Sequence, residues 1–148
     1  MFCGLVVGIA GLASRLFFYD AAFSAHAEEQ DIAGILVPHH LLAKKLIEEV
    51  FLKVKEQAPS VVVLLSPNHF AAGKGPFITT NKVWDASTGK ALASADDIIH
   101  DLVKQGVVNL NDQPFEKEHG IFNIIPYIKK FFPATTVIPI IVKDTASD

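Results

Sequence analysis

Residues 61–69 read Val-Val-Val-Leu-Leu-Ser-Pro-Asn-His, an apolar run that ends in a polar turn. Because every residue of 61–65 is apolar, we predict a strand that is buried on both faces, as strands of parallel sheets are. Residues 32–37 form a second apolar run, and Pro-His-His follows it at 38–40. The apolar stripe of 41–57 indicates a helix between the two strands. This order predicts an α/β fold with a mostly parallel sheet flanked by helices.

The same alternation of strand and helix continues towards the end of the chain. We expect short strands at 77–80 and 107–110, helices at 96–105 and 118–132, and a final strand at 136–142. The second helix should bend or restart at Pro126, because proline has no backbone N–H to donate. Within the final strand, Pro139 indicates an irregularity or an edge position.

Composition limits the classes of function that the chain can serve. With 148 residues, 50% of them hydrophobic, it has the size of one domain with a sizeable core. The formal net charge of −3 argues against a nucleic-acid partner, since binding a phosphate backbone requires a basic surface. The only cysteine, Cys3, excludes an internal disulfide and a CxxC zinc or redox pair.

We divide the chain into an apolar N-terminal segment, 1–19, and an α/β domain, 20–148. Residues 1–13 carry no charged side chain, and Arg15 interrupts the apolar character that follows. The uncharged run is shorter than the roughly 20 residues of a membrane-spanning helix. Two interpretations stay open: an anchor or signal-like segment that contacts a membrane, or a buried helix or strand. The protein is accordingly cytoplasmic or anchored to a membrane by its N-terminus.

The histidines that follow the apolar runs are the strongest candidates for chemistry. In open α/β sheets, ligands bind beyond the carboxyl ends of strands, where His39 and His69 both stand. If the two strands are neighbours, their imidazoles can converge on one metal ion. His119 begins a predicted helix, whose dipole disfavours imidazolium, so that a neutral ring could accept a proton or bind a metal. Three histidines suit zinc or non-haem iron.

A structural role is the alternative for each of these residues. A single histidine after a strand is more often a hydrogen-bonded turn residue than a metal ligand. His40 follows His39 directly, so we expect its side chain to point elsewhere and to pack at the helix start. We expect Glu116 and Glu118 to decorate the start of a helix.

Five short motifs occur in a fixed order along the chain. They are Gly34-Ile-Leu-Val-Pro-His39, Leu64-Leu-Ser-Pro-Asn-His69-Phe70, Glu118-His119-Gly120-Ile121, Ile125-Pro126-Tyr127 and Val137-Ile138-Pro139. In this order they resemble the Memo-like family, also called the AmmeMemoRadiSam system protein B family. The resemblance covers about 18–143, which is nearly the whole chain.

The resemblance implies a fold related to the class III extradiol ring-cleaving dioxygenases, which use non-haem iron(II). Members of the Memo-like family place iron or copper on the histidines of the first two motifs, here His39 and His69, and on a cysteine much later in the chain. His119 falls on the third-motif histidine, which lines the same pocket. We therefore assign His39 and His69 as metal ligands and His119 as the candidate catalytic residue, which would move a proton.

The sequence also departs from the family's pattern. Ser66 stands where the family usually has glycine, and Gly120 stands where it usually has serine. The chain ends at Asp148, near the family's midpoint, and the later ligand cysteine has no counterpart. We therefore expect the truncated N-terminal half of the family's fold, either a fragment, which we favour, or a half-domain that needs a partner.

Two functions from different classes follow from these residues. The first is a metal-dependent, dioxygenase-like redox protein of the AmmeMemoRadiSam system that binds iron(II) or copper. The alternative is a non-catalytic module that binds a ligand or phosphopeptide in the same pocket. Under either interpretation, we expect the protein's partners to be a metal ion and an unknown small molecule or peptide. A metal-assisted hydrolase is a weaker interpretation, because no nucleophile or oxyanion feature supports it.

Overall fold

The structure, a computed structural model, describes residues 32–84 and 91–143. Its helices are α1 (Lys44–Val54), α2 (Asp96–Lys104), α3 (His119–Phe122) and α4 (Ile125–Phe131). Its strands are β1 (Val61–Pro67), β2 (Phe77–Thr79), β3 (Asn109–Leu110) and β4 (Thr136–Val142). Short 3₁₀ helices cover Leu41–Ala43, Lys55–Gln57 and Gln113–Glu116. The expected restart at Pro126 is confirmed, because α3 ends before it and α4 carries this proline in its first turn.

The four strands form one mixed sheet in the order β1-β4-β2-β3. Strand β4 pairs in parallel with β1 along seven residues and antiparallel with β2 along three. Strands β2 and β3 are parallel. The predicted α/β fold with helices beside the sheet is confirmed, and most pairs are parallel, with one antiparallel exception.

The main core lies between one face of the sheet and helices α1, α3 and α4. Helix α1 contributes Ile47, Phe51 and Val54, which recur at helical spacing and are all buried. The ring centroid of Phe51 lies 5.8 Å from that of Tyr127 and 5.7 Å from that of Phe131. This aromatic contact joins α1 to α4.

The opposite face of the sheet is only partly covered. Helix α2 buries Ile99 against Ile138 of β4, with Val61 of β1 at the margin of this smaller cluster. Further along β1, Val63 and Leu65 are 56% and 61% exposed. The prediction that β1 is buried on both faces is therefore wrong for these residues, because α2 covers only the beginning of the strand.

Residues 32–37 do not form the predicted strand. The segment has no sheet partner among the residues that the structure describes, and β1 pairs instead with β4. It is held by other contacts: the backbone N–H of Ile32 donates to the Gln57 side chain, and Val37 packs against the main core. A strand requires a ladder of backbone hydrogen bonds with a neighbour, and an apolar run does not reveal whether that neighbour is present.

Pro139 lies in the central strand, so the expectation of an edge position is wrong. Val137, two residues earlier, turns its N–H and C=O towards Ala93 and Ala95. Alternation along the strand turns the nitrogen of Pro139 to the same side. The paired part of β2 ends opposite Ile140, and the Thr79 hydroxyl donates to the Pro139 carbonyl at 2.7 Å. The missing N–H therefore falls where no ladder hydrogen bond is required.

Within 32–84 and 91–143, no helix has the length and apolar character needed to cross a membrane. The expected anchor or signal-like segment, 1–19, lies outside the described residues, and so does the boundary that we placed after it.

Adjacent residues of α1 provide a matched test of this packing. Ile47 is fully buried, whereas Leu46 is 51% exposed. We expect Ile47→Ala to lower the free energy of unfolding by about 2–5 kcal/mol, because it leaves a cavity in the main core. Leu46→Ala should lower it by less than about 1 kcal/mol. Urea denaturation measures both, and equal losses would contradict the assigned face of α1.

Candidate metal centre

Three motifs that are distant in sequence bring their histidines together at one end of the sheet. The ring centroid of His39 lies 4.6 Å from that of His69 and 5.3 Å from that of His119. The rings of His69 and His119 are 4.2 Å apart. The residues that the sequence singled out for chemistry are therefore neighbours in space.

Each histidine is positioned by a different element. His69 follows β1, and the preceding Asn68 extends the ladder by donating its N–H to the Val142 carbonyl at 2.9 Å. His119 is the first residue of α3. His39 lies outside any helix or strand, and the Asn123 side chain fixes it by donating to its carbonyl at 2.8 Å. Asn123 thus replaces the strand pairing that we expected to position His39.

The side chain of Glu118 connects two of these elements. Glu118 is fully buried, and its carboxylate accepts hydrogen bonds from the backbone N–H groups of His69 and Gly120, each at 3.0 Å. It also accepts from the ring Nδ1 of His69 at 2.6 Å. These donors compensate for the burial of a charged group.

The expectation that Glu118 decorates an exposed helix start is wrong. Its position just before α3 identifies it as a helix N-cap, which was the available sequence signal. The other half of its environment, at the end of β1, lies 49 residues earlier in the chain.

This contact determines which nitrogen of His69 is available. An ionised carboxylate only accepts hydrogen bonds, so the ring proton of a neutral His69 resides on Nδ1. The Nε2 lone pair is then free to bind a metal ion. A carboxylate behind a metal-binding imidazole fixes the tautomer and makes the ring a better ligand.

His40 joins the cluster, although we expected its side chain to point elsewhere. Its ring centroid lies 4.5 Å from that of His39 and 5.6 Å from that of His119. The chain leaves its extended path at His40, whose carbonyl accepts from the Ala43 N–H at the start of a 3₁₀ helix. Strict alternation of side chains applies to a regular strand, and the turn abolishes it here.

The surroundings of His39 favour its neutral form. Burial lowers the pKa of His39, and the neighbouring imidazoles of His69, His40 and His119 lower it further, against an opposing effect of Glu118. Its Nε2 is buried and has no hydrogen-bond partner among the residues that the structure describes. A neutral imidazole with an unused nitrogen is the form that binds metal ions.

Two overlapping groups of three side chains could hold an ion. One is His39, His40 and His119, and the other is His69, Glu118 and His119; within each group, the candidate ligand atoms lie within 4.8 Å of one another. Imidazole nitrogens with a carboxylate oxygen suit zinc, iron and copper. The donor set therefore fits the class of metal that the resemblance implies.

The two departures from the family's motifs lie in contact at this site. A Cβ atom at Gly120 would collide with the Oγ atom of Ser66. A side chain at position 120 therefore requires the Ser66 hydroxyl to move. In this chain the small volume between the two positions is filled by the Ser66 side chain of β1.

Comparison with known proteins gives a consistent result. A family model described as Memo-like protein matches residues 14–148. A MEMO1 family protein of Caldivirga maquilingensis is 27% identical over 124 residues, which are 80% of this chain and 43% of the relative. MEMO1 family proteins of Metallosphaera sedula and Saccharolobus islandicus are 27% and 29% identical, over 60% of this chain and 31% and 32% of the relatives. The chain thus spans less than half the length of these curated relatives.

The contact between positions 66 and 120 predicts a compensating pair of substitutions. Gly120→Ser alone should lower the free energy of unfolding by about 1–3 kcal/mol, because its side chain collides with Ser66. Adding Ser66→Gly should recover most of that loss, since it removes the obstructing hydroxyl. Thermal or urea unfolding of the two single variants and the double variant measures the coupling, and strictly additive losses would refute the contact.

Removing the charge of Glu118 should destabilise the site. Glu118→Gln places an amide donor where the carboxylate accepts three hydrogen bonds. We expect the free energy of unfolding to fall by at least about 1.5 kcal/mol, since hydrogen bonds to a charged group are the stronger ones. The matched control is the exposed Glu116, whose change to Gln should have an effect within about 0.5 kcal/mol. Equal effects in urea denaturation would contradict the assigned role.

Proposed function

The chain belongs to the Memo-like protein family, and we propose from that premise that it is a metal-binding redox protein, with iron or copper held by His39 and His69. The observation that carries the proposal is the convergence of the three motif histidines, whose ring centroids lie 4.2–5.3 Å apart. These residues are 30 and 50 positions apart in sequence, so their proximity is a property of the fold.

Two features of the site support metal binding over a purely structural role. The Nε2 atom of His39 is buried without a hydrogen-bond partner in the described part of the chain, an unfavourable arrangement that a bound ion would relieve. His69 is oriented by Glu118 so that its Nε2 faces away from the hydrogen bond at Nδ1. A histidine that serves only a turn would use its nitrogens in hydrogen bonds to the backbone.

His119 is the candidate for moving a proton beside the ion. Its Nδ1 lies 3.9 Å from the Oε1 atom of Glu118, which is too long for a hydrogen bond, and its side chain is 37% exposed. The ring is therefore near the proposed ligands without being fixed to the carboxylate. The bound iron or copper would supply electron exchange, while His119 would accept or donate one proton at the same pocket.

The metal assignment predicts loss of binding in a double variant. The chain, purified without oxygen or chelator, should retain about one iron or copper ion per molecule. His39→Ala/His69→Ala should retain little metal, because two of the proposed ligands are absent. The control His100→Ala removes an exposed histidine of α2 and should bind metal as the unaltered protein does. Elemental analysis measures the content, with circular dichroism to establish folding.

A redox role requires that the ion change its oxidation state in place. With copper bound, ascorbate should abolish the paramagnetic resonance signal of Cu²⁺, and air should restore it while the metal stays with the protein. Binding without a reversible change would refute the redox role. If the purified chain contains neither iron nor copper, the metal site is refuted. Peptide binding by the metal-free chain would then favour the non-catalytic module.

A further inference from the structure

We infer that a polar cavity beside strand β3 binds the phosphate or carboxylate group of a small hydroxylated molecule. The cavity has a volume of about 520 Å³, and it is lined by Gly73, Lys74, Asn109, Leu110, Asn111 and Gln113. This volume lies within the range of small-molecule sites. None of these residues belongs to the histidine cluster, so the site does not depend on the proposed metal centre.

The loop that connects β1 to β2 forms one wall of the cavity. Gly73 and Gly75 adopt positive φ angles of 80° and 82°, whereas Lys74 between them does not. Alternation of this kind turns successive backbone N–H groups towards a concave side, an arrangement that binds anions. Among the described residues, no acceptor takes a hydrogen bond from the N–H groups of these three residues. These donors are therefore available to a ligand.

Glycine at both positions lets this loop lie directly against the sheet. A Cβ atom at Gly75 would collide with the side-chain amide of Asn109 in β3. A Cβ atom at Gly73 would collide with the side chain of Ile78 in β2. The close approach brings Lys74, which lies between the two glycines, to the wall of the cavity.

Backbone hydrogen bonds hold both walls in place. The Lys143 N–H donates to the Pro76 carbonyl at 2.8 Å, which fixes the end of the loop to the residue after β4. The Asn111 N–H donates to the Thr79 carbonyl at 3.0 Å, which fixes the turn after β3 to the end of β2. Binding is stronger when the groups that contact a ligand are positioned in advance.

Side chains with unused hydrogen-bonding groups form the rest of the cavity. In the part of the chain that the structure describes, Lys74 forms no ion pair, and the carboxamides of Asn109 and Gln113 form no hydrogen bond. Asn111 uses only its Oδ1 atom, which accepts from the Gln113 N–H at 3.1 Å. None of the described residues that line the cavity is acidic.

This set of groups specifies the class of ligand. The ammonium group of Lys74 and the N–H groups of the loop favour an oxyanion, whose oxygens accept from several donors. Carboxamides both donate and accept, so those of Asn109, Asn111 and Gln113 can recognise hydroxyl groups. Leu110 offers an apolar surface to the carbon skeleton of the ligand.

Titration of the isotope-labelled 148-residue chain with glycerol 3-phosphate tests the site, with the backbone amides followed by NMR. The chemical shifts should change at residues 73–75 and 109–113. Glycerol, which has the hydroxyl groups without the anion, should bind at least about tenfold more weakly, since the charge-assisted hydrogen bonds are absent. Inorganic phosphate should bind at least about threefold more weakly, because it lacks the carbon-bound hydroxyl groups.

Charge reversal at two exposed lysines provides the matched variants. Lys74→Glu should weaken the binding of glycerol 3-phosphate by at least about tenfold, because attraction becomes repulsion. Lys104→Glu changes the net charge by the same amount at the end of α2 and should bind as the unaltered chain does. Malate carries carboxylates in place of the phosphate, and the tighter of the two compounds identifies the oxyanion that the site prefers.

Four outcomes would overturn the assignment of this cavity. The first is that neither glycerol 3-phosphate nor malate binds. The second is equal weakening in Lys74→Glu and Lys104→Glu, which would mean that the anion responds to net charge alone. The third is a set of shift changes centred on His39, His69 and His119, which would place the anion at the histidine cluster. The fourth is equal affinity for glycerol 3-phosphate and inorganic phosphate, which would exclude recognition of the hydroxyl groups.

Discussion

The buried carboxylate of Glu118 is the interaction on which the site depends. It accepts from the backbone and ring of His69 and from the backbone of Gly120, so it joins the end of β1 to the start of α3. A buried charge is tolerated only when donors surround it, and these donors require both elements to be in place. The same contact selects the tautomer of His69 and places His119, the next residue, beside it.

The sheet and helices make that contact reproducible. Strand β4 is central and pairs with β1 along its whole length, which fixes the end of β1 and therefore the position of His69. Helices α1 and α4 pack through their aromatic rings on one face of the sheet, next to α3. The close approach of Ser66 and Gly120 shows how little space remains between β1 and α3. In so tight a junction, one extra side-chain atom has to be matched by a smaller partner.

Local patterns predicted those elements whose signal lies within a few residues. The apolar stripe of α1, the apolar runs of β1 and β4 and the restart at Pro126 were all recovered with bounds close to those observed. The run at 32–37 has the same apolar character and forms no strand, because pairing depends on an available neighbour rather than on composition. The expected edge position of Pro139 was wrong for a related reason. A central strand accepts a proline only where no neighbour needs its N–H, and that depends on where β2 ends.

For the candidate site, the sequence by itself determined which side chains are available for chemistry: Pro-His and Asn-His after apolar runs, and Glu-His before a helix, at positions 38–39, 68–69 and 118–119. Their order carries the family resemblance and identifies His39, His69 and His119. Only the tertiary structure decided that Glu118 is buried and that His40 faces the cluster. Both facts depend on contacts between segments about 50 to 80 residues apart, which no local pattern encodes. Hydrogen-bond partners and ring positions are set when the chain packs, because packing decides which donors and acceptors lie beside each buried polar group.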